Sequence, residues 1–294
     1  MTAFVAIGRG PLLLAMASVS LVWGLNWVVM KTALEDIGEF EFAALRLWLA
    51  ATFLFACLLV MRKPLRVKRP LAVTISGLLQ NAITTGLTLW ALAAGSAGKN
   101  AVLCYTMPFW VVLFAWPLLA ERPAPRQWLA MAVAAAGLVF LLGGGVGGSL
   151  ADIAAIGAGA SWALGIVLTK RMHGAQDTDP FSFTAWQTLI GAIALSLLAL
   201  ASPGKPPNWT PALVLALAYN ALLVYGLMWI LWFWLLQRIE AGVASLGILA
   251  VPVIGVLASV AFLGERPTAI EWLGMALTVA ALLITASVAA RGGR

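Results

Sequence analysis

The sequence has very little charge for its length. Of its 294 residues, 10% are charged and 63% are hydrophobic, whereas about 25% of the residues of an ordinary soluble domain are charged. A soluble fold of this size could not remove so much apolar surface from water. The composition therefore excludes an ordinary soluble globular protein.

Histidine and cysteine are almost absent. The single histidine, His173, falls in a predicted loop, and the two cysteines, Cys57 and Cys104, fall inside apolar segments. A zinc hydrolase and a serine protease each need histidine beside further catalytic groups, and the cysteine spacing fits neither a metal site nor a disulfide framework. We predict that the protein is not an enzyme and binds no metal and no cofactor.

Carboxylates are missing from the apolar segments. All 11 Asp and Glu residues fall in predicted loops or at helix ends. Proton relays within a membrane generally use an Asp, Glu or His at mid-membrane depth, and a pump for varied cations needs a buried carboxylate. The absence argues against both. If a carboxylate of this protein does lie within the membrane, Glu41 and Glu240 at predicted helix ends are the first candidates.

Ten long apolar blocks are what the sequence does contain. About 20 apolar residues in a row span a bilayer as a helix, and each block approaches or exceeds that length. The blocks cover residues 11–34, 41–61, 71–92, 99–120, 127–145, 150–171, 180–201, 211–237, 242–264 and 268–290. The sequence therefore predicts an all-α membrane protein with ten transmembrane helices.

The net charge of +7 is explained by topology. With the N-terminus in the cytoplasm, 13 of the 18 Lys and Arg residues fall in cytoplasmic segments, including the basic stretch 62–69. Such an excess in short loops orients membrane proteins. The other side would hold Lys31, Lys99, Lys205 and Arg266. We predict a multi-pass protein of a bacterial inner membrane with both termini cytoplasmic, in contact with lipid and without nucleic-acid affinity.

The two halves of the chain repeat each other. At an offset of 144, Pro108, Glu121-Arg122-Pro123 and Trp128 correspond to Pro252, Glu265-Arg266-Pro267 and Trp272. Each repeat, 1–148 and 149–294, holds five predicted spans, and an odd number of crossings inserts the second repeat upside down. Two inverted repeats that close alternately around a central site are typical of secondary transporters.

Span 3 carries polar residues on one helical face. Asn81, Thr84, Thr85 and Thr88 follow the i, i+3, i+4, i+7 spacing. Within a bilayer such groups either face a cavity, where they would hydrogen-bond a substrate, or join two helices at a packed contact; we favour the cavity. Trp90 lies nine residues from Asn81, about half a turn around the helix, so only one of the two can face it, and we expect Asn81.

Aromatic residues with polar neighbours form the other candidate surfaces. Trp23 and Asn26 share a face of span 1, and Trp162 in span 6 corresponds to Trp23 at an offset of 139. Both tryptophans lie too deep for the interfacial aromatic belt. We predict that they line a substrate-binding cavity together with Asn26, with Tyr105 in span 4 and with Tyr225 in span 8.

Four further residues leave alternatives open. Arg46 is the one basic residue well inside a span, and Gln187 holds the matching position in the second half. Arg46 is either an anchor for a substrate carboxylate or a structural contact whose long stem reaches the outer interface; we favour the structural contact. Pro108 and Pro252 are either hinges or tolerated kinks.

These motifs resemble a known family. The Trp23-Gly24-Leu25-Asn26-Trp27 start of span 1, Lys31, Arg46 and the paired Pro…Glu-Arg-Pro…Trp segments resemble the EamA family of the drug/metabolite transporter superfamily, across essentially the whole chain. Within it the chain looks most like YddG-type exporters, which implies efflux of amino acids, aromatic and other neutral ones included. The alternatives are another metabolite or drug, such as a purine or a cationic drug, and then a scaffold or receptor. The sequence does not determine the oligomeric state, and it is compatible with a monomer.

Overall fold

The computed structural model describes residues 9–143, 149–172, 179–236, 238 and 248–292, and the regular secondary structure of those residues is helical throughout. Its ten helical segments are α1 (Arg9–Ala33), α2 (Glu39–Val60), α3 (70–94), α4 (Ala97–Leu119), α5 (Pro125–Leu141), α6 (Leu150–Arg171), α7 (Pro180–Ala201), α8 (211–236), α9 (Ala250–Leu263) and α10 (Ala269–Gly292). The all-helical prediction is confirmed. His173 and Glu240 lie outside the described residues, as does part of the predicted block 242–264.

The surface and length of the helices suit a bilayer. Helices α1, α2, α4, α6, α7 and α8 are each long and apolar enough to cross a membrane, while α5, α9 and most of α10 are shorter apolar helices. Large apolar side chains such as Leu14, Val60, Leu200 and Phe262 are exposed on the outside of the bundle, where a soluble protein would carry charge. The chain is a multi-pass membrane protein.

The two Glu-Arg-Pro segments lie at opposite ends of the bundle. Glu265 accepts hydrogen bonds from the backbone amides of Ala97 and Gly98 at the start of α4. Glu121 follows the end of α4 and pairs with Lys170 at the end of α6. Because α4 has 23 residues and an α-helix rises about 1.5 Å per residue, the two carboxylates are roughly 30 Å apart. We name these the Glu265 end and the Glu121 end.

At the Glu265 end, lysines satisfy exposed helix termini. Lys31 Nζ donates to the carbonyl oxygens of Leu92 (2.7 Å) and Gly95 (2.9 Å) at the end of α3. A cation at a helix C-terminus is favourable because the last carbonyls have no partner within the helix. Lys99 pairs with Asp152 of α6 at 3.0 Å. The four basic residues expected on one side, Lys31, Lys99, Lys205 and Arg266, are all at this end.

At the Glu121 end, Asp179 links the segment that follows α2 to the start of α7. It caps α7 by accepting from the amides of Phe181 and Ser182, and it pairs with Lys63 of the basic stretch at 2.8 Å. Burial raises the pKa of Asp179, but the hydrogen bonds from Lys63 and from the two amides outweigh burial, so the net shift of the pKa is downward. The basic stretch 62–69 is thus held at the end opposite Glu265.

Helices α3 and α8 each contain a π-helical segment, Gly77–Ile83 and Tyr219–Leu227. These segments occupy corresponding places in the two halves, and each contains an asparagine, Asn81 and Asn220, related by the offset of 139. A π-helical turn widens the helix and turns the side chains that follow it around the axis. The irregularity is therefore a repeated feature of both halves, next to the cavity described below.

Helix α4 is interrupted at Tyr105 and Thr106, two residues before Pro108. Proline has no amide hydrogen, so the carbonyl four residues earlier, that of Cys104, loses its helical partner. That carbonyl lies against Gly159 of α6, where an added Cβ would be only 2.7 Å from the Cys104 oxygen. Glycine at 159 lets α6 approach the interruption, and the approach brings Tyr105 beside α6.

Candidate functional site

A cavity of about 250 Å³ lies between the helices, at about half their length. Residues of α1, α2, α3, α4, α6, α7 and α8 line it, so both halves of the chain contribute. Its lining includes every residue predicted to bind substrate or to anchor a carboxylate: Trp23, Asn26, Asn81, Thr84, Thr85, Thr88, Tyr105, Trp162, Tyr225, Arg46 and Gln187. The structure brings these residues together, and their role in binding stays a prediction.

The polar residues of α3 differ in what they contact. The Thr84 hydroxyl donates to the carbonyl oxygens of Leu79 (2.7 Å) and Ala158 (3.2 Å), so it joins α3 to α6. Asn81 and Thr85 make no side-chain hydrogen bond within the described part of the chain, although both are more than 90% buried. Their polar groups face the cavity and are free for a ligand. Thr84 therefore joins two helices, whereas Asn81 and Thr85 border the cavity; that these two residues bind substrate stays a prediction.

Indole rings from three helices, α1, α6 and α8, line the cavity. The lining contains five tryptophans: Trp23, Trp27, Trp162, Trp229 and Trp232. The ring of Trp23 lies 5.8 Å from that of Trp229 and 5.9 Å from that of Trp232 between centroids, in tilted pairs that bring α1 against α8. Trp128, Trp209 and Trp272, which the aromatic belt explains, are instead exposed on the outside. The cavity can therefore contact a large apolar group on several faces.

Arg46 makes structural contacts, but it makes them in the bundle interior and not at the outer interface; whether it also anchors a substrate carboxylate stays a prediction. Its side chain is 5% exposed and lines the cavity. One guanidinium nitrogen, Nη1, donates to Asn220 Oδ1 at 3.2 Å and touches the sulfur of Met30. The guanidinium carbon lies 5.6 Å from the centre of the Tyr225 ring. Contacts with Met30 of α1 and with Asn220 and Tyr225 of α8 therefore hold Arg46 in the bundle interior.

Gln187, the counterpart of Arg46, belongs to a neutral network. Its amide oxygen accepts from the Ser76 hydroxyl at 2.6 Å, and Gln80 in turn bonds to Ser76. Among the described residues that line the cavity, Arg46 therefore carries the one fixed positive charge. Among the described residues that line the cavity there is no Asp or Glu.

Several lining residues were not predicted. Gln80, Met107 and Trp232 line the cavity, but nothing in their spacing separates them from residues that pack between helices. Trp229 could have been found, because it shares a helical face with Tyr225, and the structure places both on the cavity. Asn220 and Trp90 do not line it, which agrees with the nine-residue spacing that sets them opposite Trp229 and Asn81.

The glycine and serine positions of α6 serve helix packing. The Ser161 hydroxyl donates to the Leu79 carbonyl at 2.8 Å, and a Cβ at Gly165 would lie 2.6 Å from Gln80. Small residues at these positions let α3 and α6 approach closely. Pro108 and Pro252 lie outside the lining, near the start of the second part of α4 and of α9; a hinge role for them stays a prediction.

The family of the chain follows from a direct comparison. A model of the EamA-like transporter family matches it twice, over residues 10–143 and 149–287. The chain belongs to the EamA-like transporter family. The two matches fall on the two halves that share the Glu-Arg-Pro segments, so each EamA unit supplies five of the ten helices, and the cavity lies between the units.

Two individual relatives of the chain each share less than 30% sequence identity with it. The chain is 29% identical over 250 residues to an uncharacterized transporter of Bacillus subtilis, YoaV, covering 82% of this chain and 85% of the relative. It is 27% identical over 281 residues to an Escherichia coli protein named "Probable amino-acid metabolite efflux pump", covering 90% and 91%. A solved crystal structure with 20% identity shares the fold with a TM-score of 0.65, over 97% of this chain and all of that one.

Proposed function

We propose that this EamA-family protein exports amino acids, aromatic and other neutral ones, across the bacterial inner membrane. The observation that carries the proposal is the lining of the cavity, which combines five indole rings with unpaired amide and hydroxyl groups and has no carboxylate among its described residues. A site of this kind suits a solute with a large apolar part and a small polar part. Aromatic and branched amino acids have that composition.

The resemblance to YddG-type exporters and the name of the Escherichia coli relative support the same substrate class. A purine would find stacking surfaces in this cavity, but a neutral nucleobase has no anionic group for Arg46. A cationic drug would meet Arg46 and no opposing carboxylate. Amino acids therefore fit the lining better than either alternative.

The proposed mechanism is alternating access by two inverted repeats. The Glu-Arg-Pro segments of the two halves occupy opposite ends of the bundle, and both halves line the cavity, which is the arrangement that lets one site open to either side. Substrate binding would favour an occluded state between the two open ones. The Glu121 end, with the basic stretch 62–69, would face the cytoplasm.

The test is flux into and out of proteoliposomes that contain the purified protein. Labelled tryptophan, leucine, adenosine and a quaternary ammonium dye are compared one by one, with protein-free liposomes as the blank. We expect saturable exchange of tryptophan and leucine that exceeds the blank. Trp162→Ala in the cavity should weaken the exchange, whereas Trp209→Ala on the exposed surface serves as the matched control. Exchange of adenosine or the dye alone would contradict the proposal, and no exchange of any solute would favour a scaffold or receptor.

A further inference from the structure

Arg46 carries a buried charge that has no counter-charge within the described part of the chain. An arginine keeps its charge in proteins, and an isolated buried charge is unfavourable unless it is paired. The salt bridges of the described residues do not include Arg46. Its Nε is buried and has no hydrogen-bond partner, and its neighbours Asn220, Met30 and Tyr225 are all neutral. Because Arg46 also lines the cavity, an anionic group that enters the cavity could supply the missing counter-charge.

Asn220 fixes the direction in which Arg46 points. It is fully buried in the π-helical segment of α8, where its amide nitrogen donates to the Ala216 carbonyl at 3.0 Å. That bond turns its Oδ1 toward Arg46 Nη1. The amide occupies one donor of the guanidinium and leaves others free, because a guanidinium has five N–H groups. Asn220 is thus a positioning residue for Arg46.

Asn26 provides a complementary acceptor close by. Asn26 lines the cavity, and its Oδ1 is buried and has no hydrogen-bond partner among the described residues. Asn26 lies one helical turn before Met30 on the same face of α1, and Met30 touches the Arg46 guanidinium. A buried amide oxygen without a partner is uncommon in proteins. It can accept a hydrogen bond from an ammonium group of a ligand whose carboxylate sits on Arg46.

We propose that Arg46 and Asn26 together bind the head group of an α-amino acid, the carboxylate on the guanidinium and the ammonium group on Asn26 Oδ1, with the side chain among the tryptophans. This rests on the proposed function and narrows it. A transported substrate must carry a carboxylate, so amines of the same shape are excluded. The cavity then needs no acidic residue, since the substrate brings its own negative charge.

Matched trios of solutes test this in proteoliposomes. One trio is tryptophan, tryptamine and indole-3-propionate; the other is leucine, isoamylamine and 4-methylpentanoate. The three solutes of a trio share the same apolar group. The amine lacks only the carboxylate, and the acid lacks only the ammonium group. We expect the amino acid to compete best against labelled amino acid, the acid to compete more weakly, and the amine not to compete. An amine that competes as well as its amino acid would overturn the proposal.

Arg46→Gln should raise the KM for the amino acids about 10- to 100-fold, as expected when a hydrogen bond to a charged group is lost, and should abolish the preference for acid over amine. Asn220→Asp is the second variant, because it keeps the shape of the side chain and places a carboxylate beside the guanidinium. That internal ion pair should compete with the substrate carboxylate and also raise KM. Arg126→Gln on the exposed start of α5 is the control for removing an arginine.

The outcomes separate this proposal from the proposed function. Unchanged KM and unchanged amine exclusion in both Arg46→Gln and Asn220→Asp would refute the head-group site while amino-acid transport stands. Failure of the wild-type protein to exchange tryptophan and leucine would refute the proposed function itself. If Arg46→Gln does not reach the membrane, the KM and the amine competition of Asn220→Asp decide the matter.

Discussion

Thr84 and Thr85 are neighbours in α3, yet their hydroxyl groups have different surroundings. Thr84 bonds to carbonyl groups of α3 and α6, whereas Thr85 has no partner within the described residues. The Thr84 bond reaches back five residues, to Leu79, because the π-helical segment leaves that carbonyl displaced from its usual partner. The two residues therefore offer a direct comparison of a packing role and a substrate role.

Replacing each threonine by the isosteric valine should separate the two roles. Thr85→Val is expected to lower kcat/KM for amino-acid exchange roughly fivefold to tenfold, through loss of one hydrogen bond of about 1–1.5 kcal/mol to the substrate, with unchanged abundance in the membrane. Asn81→Ala should act in the same direction. Thr84→Val should instead lower the melting temperature in detergent. Parallel loss of abundance and flux in Thr85→Val and Asn81→Ala would show that these residues serve packing.

At the scale of the helix, the interruption of α4 and the small residues of α6 depend on each other. The Cys104 carbonyl, freed by Pro108, is accommodated only because Gly159 has no side chain there. Gly157 lies two residues away on the same helix, and a Cβ there would meet only Leu87, at an ordinary contact distance of 3.5 Å. Sequence pattern alone does not distinguish these two glycines.

Gly159→Ala and Gly157→Ala should therefore have opposite effects on stability. At 159 the new methyl group would overlap a backbone carbonyl, and we expect a loss of about 1–3 kcal/mol in the free energy of unfolding. At 157 the change removes the entropic cost of a mid-helix glycine and should stabilise by about 0.5–1 kcal/mol. Thermal unfolding of both variants in the same detergent is the measurement. Equal destabilisation would indicate that α6 does not approach α4 as described.

For the whole molecule, the direction of the helices sets what each end contains. Successive helices alternate in direction, so α1 begins at the Glu121 end and α10 ends there. The basic stretch 62–69 lies at the same end. At the Glu265 end, Lys31 binds the terminus of α3 and Glu265 that of α4. From the distribution of basic residues we predict that the Glu121 end faces the cytoplasm.

Cysteine labelling checks this assignment. In a background with Cys57 and Cys104 replaced by alanine, single cysteines are placed at Arg122 and Arg266, two exposed positions that correspond between the halves. A membrane-impermeant maleimide added outside intact cells should label position 266 and not 122. Lysed cells, in which both positions should react, are the control. Labelling of both positions from outside would contradict the inverted arrangement of the two halves.

Energy coupling is also a property of the whole molecule. Because no Asp or Glu lines the cavity among the described residues, we expect exchange driven by the substrate gradient alone, without an imposed pH difference. Proteoliposomes loaded with labelled tryptophan, with and without a pH gradient, measure this. Strict dependence on the proton gradient would point to Glu41, whose Oε1 accepts from the Gly204 amide while its Oε2 is buried without a partner.

The amino-acid sequence by itself determined where the helices lie and which residues are candidates for the cavity. The ten predicted blocks agree with the helices to within a few residues wherever the chain is described, because partition into a bilayer depends on local composition. Polar residues such as Asn26 and Asn81 could be assigned to the interior for the same reason, since an unpaired polar group is unfavourable in lipid.

Only the tertiary structure decided what each polar side chain does. Arg46 and Asn220 are 174 residues apart in the chain, so no local pattern could show that the asparagine turns the arginine into the cavity. The π-helical turns likewise rotate Thr84 toward α6 and leave Thr85 free, although simple helical spacing treats the two alike. Whether a buried polar group is satisfied depends on neighbours brought together by packing between helices, and that information is not contained in any single segment.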